Sequence, residues 1–181
     1  MFRRAIAGFL ATVVILLTGC SNAVALQTFS DRSGLFSFGY PNGMMQVQGL
    51  RNDAGRTLLF RDLVYDDELV SLTVADYDKA ERIEDLGSIE AVGRRVATNL
   101  LAPAGSDREA TLLNGGSLER DGRVYYILEY AVNANGQPRH DVVTVAIAHN
   151  KLYTLTASTS ESRWQTLNRA FYEVGKSLVV N

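Results

Sequence analysis

Between Arg108 and Thr159 the chain reads REATLLNGGSLERDGRVYYILEYAVNANGQPRHDVVTVAIAHNKLYTLTAST, and no other stretch restricts its fold as tightly. β-Branched and aromatic residues dominate it. It is broken at Asp121-Gly122, at Asn135-Gly136-Gln137-Pro138 and at His149-Asn150-Lys151. Turns that short cannot carry a strand across a sheet, so the four runs between them are expected to pair antiparallel, as a meander. In VYYILEYAV both alternating rows are largely apolar. Val124, Tyr126, Leu128 and Tyr130 form one row, and Tyr125, Ile127 and Ala131 the other, with Glu129 as the exception. A strand apolar on both rows is covered on both sides, which places this sheet in the middle of a layered molecule.

The flanking segments supply the layers. LFSFGYPNG (Leu35 to Gly43) reads as a strand running into a Pro-Asn-Gly turn. MMQVQGL follows as a second strand, expected to form a hairpin with the first. RTLLFRDLV and LVSLTVADY are two more, split by the acidic Tyr65 to Glu68. Then the period changes. Ile89, Val92, Val96 and Leu100 recur at helical spacing, with Ser88 as N-cap, Glu90 in the first turn and Pro103 as the stop. Near the C-terminus Trp164, Leu167, Phe171 and Val174 share one helical face behind Ser160, and SLVV adds a short last strand. The fold class is therefore α+β: an antiparallel β-sheet flanked by helices on both faces, an α/β/α sandwich.

The N-terminus sets the cellular context. Arg3 and Arg4 precede an apolar run from Ala5 to Leu17, which matches a signal-peptide core and is too short to span a bilayer comfortably. The run ends in Leu17-Thr18-Gly19-Cys20, the bacterial lipobox pattern, and Cys20 is the only cysteine in the chain. Its position makes it a lipid attachment point. Residues 1–19 are read as a lipoprotein signal peptide, 20–27 as a lipidated tether and 28–181 as one domain. Each buried acyl methylene contributes about 0.8 kcal/mol, so two or three chains hold a protein on a membrane. Without Arg3 and Arg4 the chain has 16 basic against 20 acidic residues, a net charge near −4. That balance argues against nucleic acid and against a polybasic membrane contact, so the lipid must do the anchoring.

Chemistry-bearing patterns are sparse. There is no G-x-S-x-G, no P-loop and no G-x-G-x-x-G, and no cysteine follows Cys20. His140 and His149 are the only imidazoles, and their odd spacing puts them on opposite faces of an unbroken strand. The chain is expected to be non-catalytic. Two sets of metal-ligating side chains stand out: His140 with Asp141, which suit zinc or manganese, and Asp66, Asp67 and Glu68, oxygen donors for a hard cation such as calcium. Neither has the spacing of a known metal loop. The plainer reading makes the acidic run a solvated loop and His140 a strand-end residue bonded to backbone or water. Tyr125, Tyr126, Tyr130, Tyr153 and Tyr172 read as core residues with a hydroxyl at the edge.

Several local strings, in order, carry a family resemblance. They are FGYPNG (Phe38 to Gly43), DLGSIEAVG (Asp85 to Gly93), DGRVYYILEYAV (Asp121 to Val132), RHDVVTVAIAHNKLYTLTAST (Arg139 to Thr159) and ESRW (Glu161 to Trp164). Together with the lipobox they resemble the PsbP family of photosystem II extrinsic proteins, in its cyanobacterial lipoprotein branch. Similar proteins usually carry Trp just after the Tyr-Pro-x-Gly turn, where Met44 stands here. The resemblance implies a lumenal location on the thylakoid membrane and association with photosystem II intrinsic subunits. It also implies a role in assembling that complex or in supporting the oxygen-evolving site through calcium and chloride retention. It further implies a capacity to associate with metal, for which calcium, zinc and manganese are the candidates. A monomer is expected. The alternative is an envelope lipoprotein that uses the same fold for small-molecule binding or hydrolysis.

Overall fold

A computed structural model describes residues 24–181 apart from 48, 50, 53 and 54. Cys20, the signal segment and most of the tether lie outside the described residues. The strands are β1 (Leu26–Ser30), β2 (Phe36–Pro41), β3 (Met44–Val47), β4 (Arg51–Asn52), β5 (Gly55–Asp62) and β6 (Leu69–Asp76). Helix α1 (Ile89–Val96) follows, then β7 (Arg108–Arg120), β8 (Arg123–Ala134), β9 (Gln137–Ala148) and β10 (Lys151–Ser160). Helix α2 (Glu161–Ser177) and β11 (Val179–Val180) close the chain. Among the described residues no helix is long and apolar enough to cross a membrane.

The meander forms as expected. β7, β8, β9 and β10 pair antiparallel in sequence order, and β6, β5 and β3 extend the sheet beyond β10. Each hairpin turns through two residues of positive φ, among them Asp121 (53°), Asn135 (55°), and the non-glycine pair His149 (50°) and Asn150 (56°). That geometry matches the right-handed twist of the flanking strands. The two rows of β8 separate as their pattern requires. Tyr126, Leu128, Tyr130 and Val132 pack under α1 with Val92, Leu101, Val143 and Ile147. Tyr125 and Ile127 pack with Val142, Ala146, Phe171 and Val174 on the α2 side. Burying each such side chain contributes about 1.5–3 kcal/mol. A second sheet, ordered β1-β2-β11, lies on the α2 side and adds Phe36, Phe38 and Val180 to that core.

Four local expectations are corrected. The hairpin across Pro41-Asn42-Gly43 does not form: β2 pairs with β1 and β11, whereas β3 pairs with β5. Gly43, at φ 96°, turns the chain out of the small sheet and into the large one. Phe38 then meets Phe60 of the large sheet edge-on at 5.5 Å, and Met44 is buried between the layers. Strand β1 starts inside the span read as tether, because Leu26 and Phe29 pack onto the aromatic core. In the first helix Ser88 caps as expected, accepting from Ala91 N–H at 3.3 Å. Its last turn, Ala97–Leu101, is π-helical, however, and Ala102 N–H donates to Ala97 O at 2.8 Å. One extra residue in that turn moves the apolar stripe by one position, so Leu101 is buried and Leu100 is exposed. Ser160 stands at the start of α2 but caps nothing with its side chain; its hydroxyl meets that of Ser162.

Candidate functional site

Strand alternation points His140 of β9 and Glu129 of β8 to the α2 side of the large sheet. There the apolar row of β8 has its one carboxylate, and β9 has an imidazole one diagonal step away: Ala131 pairs with His140, and Glu129 with Val142. The first turn of α2 lies over both. His140 Nε2 is 2.8 Å from Glu129 Oε1, and its Nδ1 is 2.9 Å from Glu161 Oε2. The Trp164 indole stacks on the imidazole at 3.7 Å between ring centroids and 8° between planes. Tyr172, two turns further along α2, donates its hydroxyl to the other oxygen of Glu129. Burial, then Glu129 itself, pushes the Tyr172 phenol up to about 12, so it stays a donor at any physiological pH.

A neutral imidazole carries one N–H, yet both ring nitrogens face acceptor carboxylates. The cluster therefore needs one more proton, which makes either an imidazolium donating twice or a protonated carboxyl. With the side chain of His140 only 5% exposed and that of Glu129 15%, their contact is well shielded from water, whereas Glu161 is exposed. The arrangement fastens helix to sheet and leaves His140 no free nitrogen for acid–base work. His149 lies in the β9–β10 turn, where its Nε2 meets Asn181 O. Among the described residues neither imidazole contacts a hydroxyl or thiol.

The acidic run lies against the same helix start. Three arginines hold three successive residues. Arg61 Nε donates to Asp66 O at 2.8 Å, Arg139 to Asp67 O at 2.7 Å, and Arg163 Nε to Glu68 Oε1 at 2.7 Å. Arg163 also lies over the Tyr65 ring, 3.7 Å from its centroid. Asp66 is exposed, as a solvated loop would be, but Glu68 is buried, and burial raises its carboxyl above the usual range. Asp141 points to the opposite face of the sheet from His140. It accepts from Ser158 Oγ, and burial likewise raises its carboxyl.

The structure thus gathers His140 and Glu68 around one helix terminus and separates His140 from its neighbour Asp141. Among the described residues no three His, Cys, Asp or Glu side chains converge as a metal cage. A cation on this face would compete with Arg163 for Glu68 and with His140 for Glu129 or Glu161, while Arg61 and Arg139 hold only the backbone oxygens of Asp66 and Asp67. Glu129, Glu161 and Trp164 were not singled out from the sequence as site residues. The signal for Glu129 was its place as the lone charge in a doubly apolar strand. Two of the resemblance motifs meet here: the string from Arg139 to Thr159 carries His140 near the start of β9, and Glu161 to Trp164 opens α2.

Comparison with known proteins extends the likeness to nearly the whole chain. The model of the PsbP family matches residues 24–180. CyanoP of Thermosynechococcus vestitus is 36% identical over 185 residues, covering 99% of this chain and 100% of that protein. CyanoP of Synechocystis sp. is 33% identical over 187 residues, with 99% and 100% coverage. The solution structure of Synechocystis CyanoP superposes with a TM-score of 0.72 at 33% identity, over 90% of this chain and 98% of that one.

Proposed function

The chain belongs to the PsbP family, and we propose that it is a lipid-anchored, non-catalytic protein of the thylakoid lumen that associates with photosystem II. In this reading Cys20 carries the lipid, the domain acts as a monomer on the lumenal side, and it works by contact with intrinsic subunits. It assists assembly or stabilisation of the complex, or supports calcium and chloride retention at the oxygen-evolving site. The observation that carries the proposal is end-to-end similarity to CyanoP from two cyanobacteria, lipobox region included. Physical chemistry adds support. A tether confines the domain to a thin layer at the membrane, which raises its effective concentration at partners there and lets a modest interface suffice. A site whose imidazole is fully engaged by carboxylates suits a rigid docking body better than a catalyst.

The test is affinity purification of the full-length protein from thylakoid membranes. Recovery of photosystem II subunits is expected; their absence would sink the proposal. Counting copies per active photosystem then separates the two roles, since a strongly substoichiometric protein is an assembly factor and not a resident subunit. Cys20→Ser should release the protein from the membrane and leave its precursor unprocessed. Firm attachment in that variant would remove the lipid from the account.

A further inference from the structure

The loop between β5 and β6 carries the most exposed large apolar side chains among the described residues: Leu63 is 71% exposed and Val64 78%, with Tyr65 beside them at 43%. The backbone under them is held firmly. Asp62 Oδ1 accepts from Val64 N–H at 2.8 Å and from Tyr65 N–H at 2.9 Å, and Glu68 N–H donates to Tyr65 O at 3.0 Å. Arg163 stacks on Tyr65 and Arg61 ties down Asp66. Two aliphatic side chains are therefore projected into solvent by a rigid turn. Met45, also exposed, pairs with Arg61 on the adjacent strand.

Position tells what covers this tip. Leu26, the first residue of β1, pairs with Pro41, and Met44 pairs with Asp62, so the start of β1 and the 62–65 loop share one end of the molecule. The chain from Cys20 to Leu26 spans at most about 20 Å when fully extended. A lipid on Cys20 therefore keeps this end at the bilayer surface. The Asp121-Gly122 and His149-Asn150 turns lie at the other end, about 33 Å away along the ten residues of β10. Charge disfavours an electrostatic contact with anionic headgroups, because Asp62, Asp66, Asp67 and Glu68 outnumber Arg61, Arg139 and Arg163 around the loop. Apolar insertion remains, with Tyr65 at the depth where its ring and hydroxyl are both satisfied.

We propose that Leu63, Val64 and Tyr65 form an insertion tip that enters the interfacial layer of the bilayer holding the Cys20 lipid, and so fixes how the domain faces the membrane. The inference rests on the lipid-anchor reading. The experiment uses full-length protein purified from membranes, with the mass of its N-terminal peptide read first. Because Cys20 is the only cysteine, acylation leaves Val64→Cys with a single free thiol for an environment-sensitive fluorophore. Glu119→Cys, exposed on β7 toward the far end, is the matched control. In protein-free phosphatidylcholine vesicles containing headgroup-quencher lipids, the label at 64 should shift to the blue and be quenched, while the label at 119 keeps its aqueous spectrum. Adding Leu63→Ser should weaken insertion roughly tenfold. Aqueous behaviour at both sites with an acylated Cys20 overturns the tip and spares the anchor; that outcome covers a loop reserved for a protein partner. An unacylated Cys20 overturns both.

Discussion

Glu129 shows how one side chain can organise a site. It sits in a strand where both rows are otherwise apolar, half-buried, with the Tyr172 hydroxyl donating to one of its oxygens and His140 Nε2 2.8 Å from the other. Hydrogen bonds to a charged partner are worth about 1.5–3 kcal/mol. Tyr172→Phe should therefore lower stability by about 2 kcal/mol, read by denaturant unfolding. Trp164 is the only tryptophan, so its fluorescence reports this cluster alone and should change in the same variant. Asp141 gives a pH prediction. Burial raises its carboxyl in the folded chain, so the folded state keeps a proton that the unfolded chain releases at about pH 4. Stability then falls as pH rises from there through the folded value. Asp141→Asn removes this slope, and unfolding measured from about pH 4 to neutral should show the variant gaining on the parent as pH rises.

Turn positions follow from local chemistry, and strand partners do not. The β9–β10 turn holds His149 and Asn150 both in the left-handed region without a glycine. Asn tolerates that conformation and a β-branched residue does not, so Asn150→Val should cost about 1–2 kcal/mol by thermal unfolding. Helix α2 approaches β9 so closely that Thr144 Oγ1 donates to Gly175 O at 2.8 Å, and a Cβ on Gly175 would stand 3.0 Å from that same oxygen. Gly175→Leu should destabilise by about 1–3 kcal/mol through overpacking and loosen the helix that carries Glu161 and Trp164. The same device recurs under α1, where the Tyr130 hydroxyl donates to Gly93 O at 2.9 Å.

At the scale of the molecule, β11 locks the C-terminus to both sheets. It pairs with β2, Val180 N–H donates to the Tyr125 hydroxyl at 3.0 Å, and Arg123 Nε donates to Val180 O at 3.3 Å. Truncation after Leu178 should cost at least the roughly 1.5 kcal/mol of burying Val180, measured as a lower midpoint of denaturation. The meander, the N-cap at Ser88, the closing strand and the two-faced sheet were all legible along the chain, because turn residues, caps and alternation act over a few positions. The switch of β3 to the large sheet and the early start of β1 were not, since both depend on which aromatic rings meet across layers. His140 was singled out from the sequence, but its partners were hidden. Glu129 is 11 residues away and Glu161 is 21, and only the pairing of β8 with β9 and the seating of α2 bring them together. Local patterns were enough for the elements and for the lipobox motif at residue 20. The clamp on His140 and the end shared by β1 and the 62–65 loop exist only once strands distant in sequence are aligned, because a side chain's neighbours across a sheet are set by register and layer packing, which no short stretch of chain encodes.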